Sequence, residues 1–276
     1  MKTVALPDGM RVPALGQGTW MMAEDPRLRR SEIAALRAGI DCGLTLIDTA
    51  EMYADGASEQ LVGEAIAGLR DEVFLVGKAY PQNASRARLR AACEASLKRL
   101  GTDRFDLYLL HWRGSVPLGE TVEAMEQLRD AGLIARWGVS NLDADDMAEL
   151  AASGGGECST NQILYNLTRR GPEYDLLPWL RANGMVTMAY SPVEQGRLVR
   201  HPALLAIARD VGATPSQIAL AWTLKAGDVI SIPKAGTPAH VQENRAALDL
   251  VLDAATLQRL NTAFPPPSKR IPLEML

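Results

Sequence analysis

Three residues of unlike chemistry each close a short apolar run. Leu44-Thr45-Leu46-Ile47 stops at Asp48, Phe74-Leu75-Val76-Gly77 stops at Lys78, and Asp106-Leu107-Tyr108-Leu109-Leu110 stops at His111. The first two are 30 positions apart and the last two 33, about one strand-plus-helix unit of an eight-fold barrel. If each run is a strand, a carboxylate, an ammonium and an imidazole emerge at one edge of three successive strands. Lys and Asp are rarely buried unless paired, so packing alone does not account for the trio. Tyr53 lies five positions beyond Asp48, in Asp48-Thr49-Ala50-Glu51-Met52-Tyr53, and reaches the same edge. A lone loop tyrosine is ordinarily a packing residue. Beside an ammonium it becomes a proton donor, because the cation stabilises phenolate and should lower the phenol pKa from about 10 toward neutrality. Further polar residues close later runs: Ser140 and Asn141 follow Trp137-Gly138-Val139, and Ser191 follows Met188-Ala189-Tyr190.

These residues need strands to present them. The pattern predicts eight, at Leu15 to Thr19, Leu44 to Asp48, Val73 to Lys78, Phe105 to His111, Ala135 to Ser140, Ser159 to Gln162, Met185 to Ser191 and Val229 to Lys234. Between them run stretches with apolar residues every three or four positions: Ser31 to Cys42, Glu59 to Leu69, Ser85 to Leu100, Thr121 to Ala131, Asp143 to Ala152, Asp175 to Asn183, His201 to Val211 and Pro238 to Ala247. Ser31, Ser85, Asp143 and Asp175 are candidate N-caps, and Gly43, Gly101 and Gly132 candidate helix ends. Pro215 to Ala226, after a Thr214 cap, and Ala254 to Ala263 fall outside the alternation and read as additions. The opening, with a turn at Pro7-Asp8-Gly9, reads as a β-hairpin that could plug the bottom of a barrel.

Eight strand-helix repeats imply parallel pairing through right-handed crossovers and closure into an α/β (β/α)8 TIM barrel, whose sites sit at the C-terminal strand ends. No Gly-x-Gly-x-x-Gly follows any strand, so the fingerprint of the rival open, doubly wound sheet is missing. The 276 residues carry no low-complexity linker and are expected to form one domain, 1–276.

Acids number 33 against 29 bases, a net charge of -4 mixed along the chain, with no basic block for nucleic acid or an anionic membrane. There is no apolar run of the length a membrane span requires and no signal-peptide core. Cys42, Cys93 and Cys158 are widely spaced without a Cys-x-x-Cys pair, as in a reducing cytosol, and a cytoplasmic protein is expected. The only histidines are His111, His201 and His240, too few for a metal-dependent barrel hydrolase, and no metal is expected.

The quoted segments carry a resemblance. Asp48 to Tyr53, Lys78 after its apolar run, His111-Trp112, Gly138 to Asn141, Asn161 to Asn166, Ala189 to Val193 and Ile232 to Ala235 are similar, in order and spacing, to successive motifs of the aldo-keto reductases, over nearly the whole chain. The bacterial short-loop branch, which includes enzymes acting on small aldehydes such as methylglyoxal, is the nearest in kind. The resemblance implies NADP(H)-dependent reduction of aldehydes or ketones, with Tyr53 as proton donor, Lys78 and Asp48 depressing its pKa, and His111 orienting the carbonyl. It implies a substrate pocket of Trp20, Met21, Tyr53, His111 and Trp112, with Met22 and Met52 as further walls.

For the cofactor, Tyr190 resembles the residue stacking on the nicotinamide ring, and Ser140, Asn141 and Gln162 those binding its carboxamide. Gly18, Thr19, Trp20 and Asp48 border the same place. Ser191, Pro192, Val193, Gln195, Gly196 and Leu198 resemble the loop over the pyrophosphate. Ile232, Pro233, Lys234, Ala235, Gly236, Thr237, His240, Gln242, Glu243 and Asn244 resemble the adenosine-phosphate site, Lys234 and Thr237 near the 2′-phosphate. Two positions depart: many NADPH-using relatives have Ser and Arg where this chain has Ala235 and His240. Arg is a permanent planar cation suited to phosphate, which His is not, so NAD(H) stays open as the alternative. A monomer acting on a small carbonyl is expected. The rival reading is a non-catalytic nucleotide-binding sensor subunit; the complete Asp48, Tyr53, Lys78 and His111 set speaks against it.

Overall fold

A computed structural model describes residues 1–276. β1 (Thr3–Ala5) and β2 (Arg11–Pro13) pair antiparallel around a turn in which Gly9 takes φ +87°. Eight parallel strands follow in chain order: β3 (Gln17–Gly18), β4 (Leu46–Asp48), β5 (Phe74–Ala79), β6 (Leu107–Leu110), β7 (Trp137–Ser140), β8 (Thr160–Leu164), β9 (Val186–Tyr190) and β10 (Val229–Ser231). The ring closes through bridges Leu15 to Ser231 and Gly18 to Lys234, with the Gly16 amide donating to the Ser231 carbonyl at 2.8 Å and the Gly18 amide to the Pro233 carbonyl at 3.1 Å. This is the expected barrel, with most strands shorter than expected and β8 running two residues further, to Leu164.

Successive strand residues face opposite sides, and the alternation separates two cores. Ile47, Leu75, Tyr108, Val139 and Ile163 point outward into the layer beneath the helices. Leu46, Val76, Leu107, Leu109, Met188 and Ile230 pack inside the barrel. Val4, Leu6 and Val12 of the hairpin region belong to that inner cluster and plug the barrel's bottom. Because the period is two, Asp48, Lys78, His111, Ser140, Gln162 and Tyr190 continue the inward rows, one step above the last apolar layer. The strands that pack the core thus also aim the polar residues.

The helices are α1 (Arg29–Asp41), α2 (Ala57–Ile66), α3 (Leu89–Leu100), α4 (Leu118–Asp130), α5 (Ala144–Ala152), α6 (Leu176–Ala182), α7 (Pro202–Val211), α8 (Pro215–Thr223), α9 (Pro238–Ala246) and α10 (Ala254–Ala263). Asp143 and Thr214 form capping boxes with Asp146 and Gln217, and Gly101 ends α3 at φ +64°. Two expected caps are corrected. Ser31 lies inside α1, its hydroxyl donating to the Leu28 carbonyl at 2.8 Å, and Ser85 precedes a turn, with α3 beginning only at Leu89.

The number of added helices is as expected, but one identity is corrected. α8 packs against α9 and β10 and so takes the ring position after β9, whereas α7 packs on α10 outside the ring. The additions are α7 and α10. No helix is long and apolar enough to cross a membrane.

Candidate active site

Lys78, at the end of β5, is fully buried, and its three N–H bonds have three acceptors: Asp48 Oδ1 at 2.6 Å, the Tyr53 hydroxyl at 2.9 Å and the Thr49 carbonyl at 3.1 Å. The other Asp48 oxygen accepts from Gln162 Nε2 at 2.8 Å, tying β4 across the barrel to β8. Burial works against the charge on Lys78, yet Asp48 and Tyr53 outweigh it, and the lysine pKa is raised. The ammonium therefore stays charged in a dry site because a carboxylate faces it.

Tyr53 corrects the expected direction. Burial pushes its phenol upward, the Lys78 ammonium pulls it back, and the Asp48 carboxylate pushes it up again, leaving the pKa above its ordinary value. The carboxylate that keeps Lys78 charged also cancels much of the field with which Lys78 could have favoured phenolate. Tyr53 is a protonated phenol. Its backbone is set by the turn after β4, where Ala54, Asp55 and Gly56 all take positive φ, at 47°, 51° and 86°. Beneath that turn the buried Glu59 pairs with Arg99, which also donates to Ser96 Oγ at 2.9 Å.

His111 stands edge-on to Tyr53, ring centroids 5.8 Å apart. Burial, with help from the Lys78 charge, pushes its pKa down to about 3, so the imidazole is neutral near pH 7. Its Nδ1 is buried without a hydrogen-bond partner. Trp112 tilts against His111 at 4.8 Å and stands edge-on to Tyr80 at 5.9 Å.

Around this cluster Asn141, at φ 60°, donates to the His111 carbonyl and to Ser140 Oγ, both at 3.1 Å, and accepts from the Tyr190 hydroxyl at 2.9 Å. Ser140 Oγ donates to the Gln162 carbonyl at 2.8 Å. The Asn141 amide and the half-buried Tyr190 are thus joined at the mouth, and Ser140 links Asn141 to the Gln162 backbone. Thr19 Oγ1 donates to the Asp48 carbonyl at 3.0 Å and accepts from Ser58 Oγ at 3.0 Å, and Trp20 follows, half-buried.

Other residues named from the sequence fall differently. Met22 is packed in the core and is not a wall of the mouth; Leu198, expected in the loop over the pyrophosphate, also points into the core; Met21 and Met52 are exposed. Gln195, His240 and Gln242 are exposed. Lys234 is part-exposed, 3.9 Å from the buried Glu32, with Nζ folded back over Gly236 just ahead of the Thr237-capped start of α9. Glu243 accepts from Thr214 Oγ1 at 2.7 Å and so braces α9 against α8. A surface cleft of about 520 Å³ between α2 and α3, lined by Gly63, Lys98 and Gly101 among others, lies on the outer wall and holds none of these residues.

Several contributors were not legible beforehand. Glu51 accepts from the Tyr80 amide at 2.6 Å and Asn83 Nδ2 at 3.0 Å, Glu32 faces Lys234, and Glu194 gathers Arg169, Arg197 and Asn166. Apart from the local Glu194–Arg197 pair, each contact joins residues from separate loops or helices; Glu51 and Asn166 lay within quoted motifs, but nothing in those motifs pointed to these partners.

The arrangement suits a dinucleotide with an anionic end. A part-exposed ammonium beside the start of a nine-residue helix favours phosphate, while the amide-lined, aromatic mouth suits a planar amide-bearing ring.

Known proteins agree with the architecture. Residues 14–264 match the model of the aldo/keto reductase family. The Escherichia coli methylglyoxal reductase YeaE is 52% identical over 100% of this chain and 99% of its own. An E. coli NADH-specific methylglyoxal reductase is 34% identical over 89% of this chain and 93% of its own. The crystal structure of an aldo/keto reductase from Klebsiella pneumoniae in complex with NADP and acetate, 52% identical, superposes with a TM-score of 0.97 over 100% of this chain and 99% of that one. With the family model covering most of its length, this chain belongs to the aldo/keto reductase family.

Proposed function

We propose that this protein reduces small aldehydes, methylglyoxal among them, to alcohols with NADP(H), the whole chain working as one barrel. The observation that carries this is the buried Lys78 holding both Asp48 and the Tyr53 hydroxyl, with the neutral His111 alongside. The match to the E. coli methylglyoxal reductase supports the substrate class, and the NADP complex of the Klebsiella relative supports the cofactor.

Tyr190 and the side chains of Ser140, Asn141 and Gln162 would hold the nicotinamide end, and Lys234 with Thr237 the 2′-phosphate. When bound, the reduced cofactor supplies hydride to the carbonyl carbon. Tyr53 gives its proton to the carbonyl oxygen, and the phenolate left behind accepts from the Lys78 ammonium already 2.9 Å away. Asp48 keeps that ammonium charged before and after the transfer. His111, neutral and wedged against Tyr53, orients the carbonyl oxygen toward the phenol rather than acting as an acid. Trp20 and Trp112 flank the mouth and exclude water.

Consumption of NADPH with methylglyoxal, a nitrobenzaldehyde and a simple ketone, compared between wild type and Tyr53→Phe, tests this. The variant should lose about 10²- to 10⁴-fold in turnover, the usual contribution of a general acid, while still binding NADPH. Undiminished turnover in Tyr53→Phe sinks the assignment. Tight nucleotide binding by a wild-type protein that turns nothing over would favour a sensor subunit.

A further inference from the structure

The loop after β9 is held in an unfavourable backbone. Ser191, Glu194 and Gln195, none of them glycine, sit at φ 47°, 51° and 53°. Residues with a Cβ avoid this region, so contacts outside the loop must hold it. Most converge on the nearly buried Glu194 carboxylate. Oε1 accepts from Arg169 Nη2 at 2.8 Å and Nε at 3.1 Å and from Arg197 Nη2 at 3.1 Å; Oε2 accepts from Asn166 Nδ2 at 2.7 Å. Asn166 Nδ2 also reaches the Ser191 carbonyl at 2.9 Å.

Arg169 has one arm left, and it goes elsewhere. Nη1 donates to Glu274, in the segment that follows α10 across the same face of the barrel. That segment is docked along its length. Arg270 pairs with Asp145 at 2.8 Å and Asp175 at 2.9 Å, beside the starts of α5 and α6. Leu273 packs on the outer core. One guanidinium therefore spans the strained loop and the docked segment.

We propose that Arg169 is a positioning residue that couples loop 191–198 to segment 265–276, so that docking of the segment and closure of the loop over a bound nicotinamide nucleotide are one cooperative step. The planar fork is what permits it: two N–H groups grip Glu194 while a third, fixed in the same plane, reaches Glu274. If Glu274 lets go, Arg169 can swing away, and the strained loop loses part of its hold. The proposal rests on the reading that the chain binds such a nucleotide.

Hydrogen exchange of the full chain, with and without NADPH, and the rate of NADPH release in a chase experiment test it on Glu274→Gln and Arg169→Lys. Glu274 is half-exposed, so its substitution should leave the fold intact. Both variants should speed exchange of the 191–198 amides and NADPH release by about two- to fivefold, the range for a partly exposed ion pair. Lysine keeps the charge but cannot bridge two carboxylates in a fixed plane. Faster exchange confined to 265–276, with the loop and the release rate as in wild type, overturns the coupling. Should the wild type bind no NADPH, the function proposed above fails, while exchange in the nucleotide-free protein still decides whether the two segments are coupled.

Discussion

Lys78 donates to the Tyr53 hydroxyl, at 2.9 Å, so the phenol is the acceptor in that bond and its own proton is free for another partner. Because the remaining two N–H bonds of Lys78 end on Asp48 and the Thr49 carbonyl, the ammonium cannot rotate without breaking a buried bond. The donor geometry is built in before any substrate arrives.

Asp48→Asn separates the two effects of the carboxylate. With Asp48 neutral, one of the groups that raises the phenol pKa is gone, so for as long as Lys78 keeps its proton the Tyr53 pKa should fall relative to wild type. The same change leaves a buried ammonium without its counter-charge and should cost about 3–5 kcal/mol of stability. Tyrosinate absorbance against pH and urea unfolding read the two separately. An unshifted or raised Tyr53 pKa would show that Asp48 does not oppose Lys78 at the phenol.

His111 makes the fold sensitive to acid. With a folded pKa near 3 and an ordinary value near 6.5, the unfolded chain takes up the proton that the folded protein refuses. Its contribution is fully present above pH 6.5 and is lost as the pH falls toward 3, by an amount on the order of a few kcal/mol. His111→Gln should flatten the loss of stability between those limits, measured by urea midpoints at several pH values. Parallel slopes for wild type and variant would refute the assignment.

Cofactor choice should respond to two side chains. Lys234→Met should weaken NADPH binding by about tenfold or more, as befits a lost charge-assisted contact, with little effect on NADH. His240→Arg, at an exposed position in the first turn of α9, should raise the ratio of NADPH to NADH affinity several-fold by adding a permanent planar cation. Fluorescence titration with each nucleotide measures both. Equal losses for the two nucleotides in Lys234→Met would move the 2′-phosphate away from that lysine.

Much of the barrel could be read from the sequence because the runs closing at Asp48, Lys78, His111, Ser140 and Ser191 each end in a residue that does not belong in a core. The inward row, period two, then follows without further information: Leu107, Leu109 and His111 share a side, as do Val76 and Lys78. The identity of the ring helix after β9 was not legible, since α7 and α8 are both amphipathic and only their packing on α10 and α9 tells them apart. Ser85 misled because a serine before a helical pattern caps only if the helix begins at once, and here a turn intervenes. Tyr53 misled for an electrostatic reason: the effect of a neighbouring cation was foreseen, but not how far the cation's own counter-ion would cancel it. Arg169 and Glu194 left no signal, being 25 positions apart in segments without periodicity.

The barrel's seam constrains how the mouth could be redesigned. A Cβ on Gly18 would lie 2.7 Å from the Ile232 carbonyl, against backbone that cannot step aside without opening the joint between the first and last strands of the ring. Position 18 is thus settled by closure, whatever molecule the mouth receives. Met21, three residues on and exposed to solvent, is free of the closure constraint, and only its backbone at φ 62° limits what can replace it. Variation aimed at new carbonyls would therefore find its freedom in the loop leaving β3, and none in the strand itself.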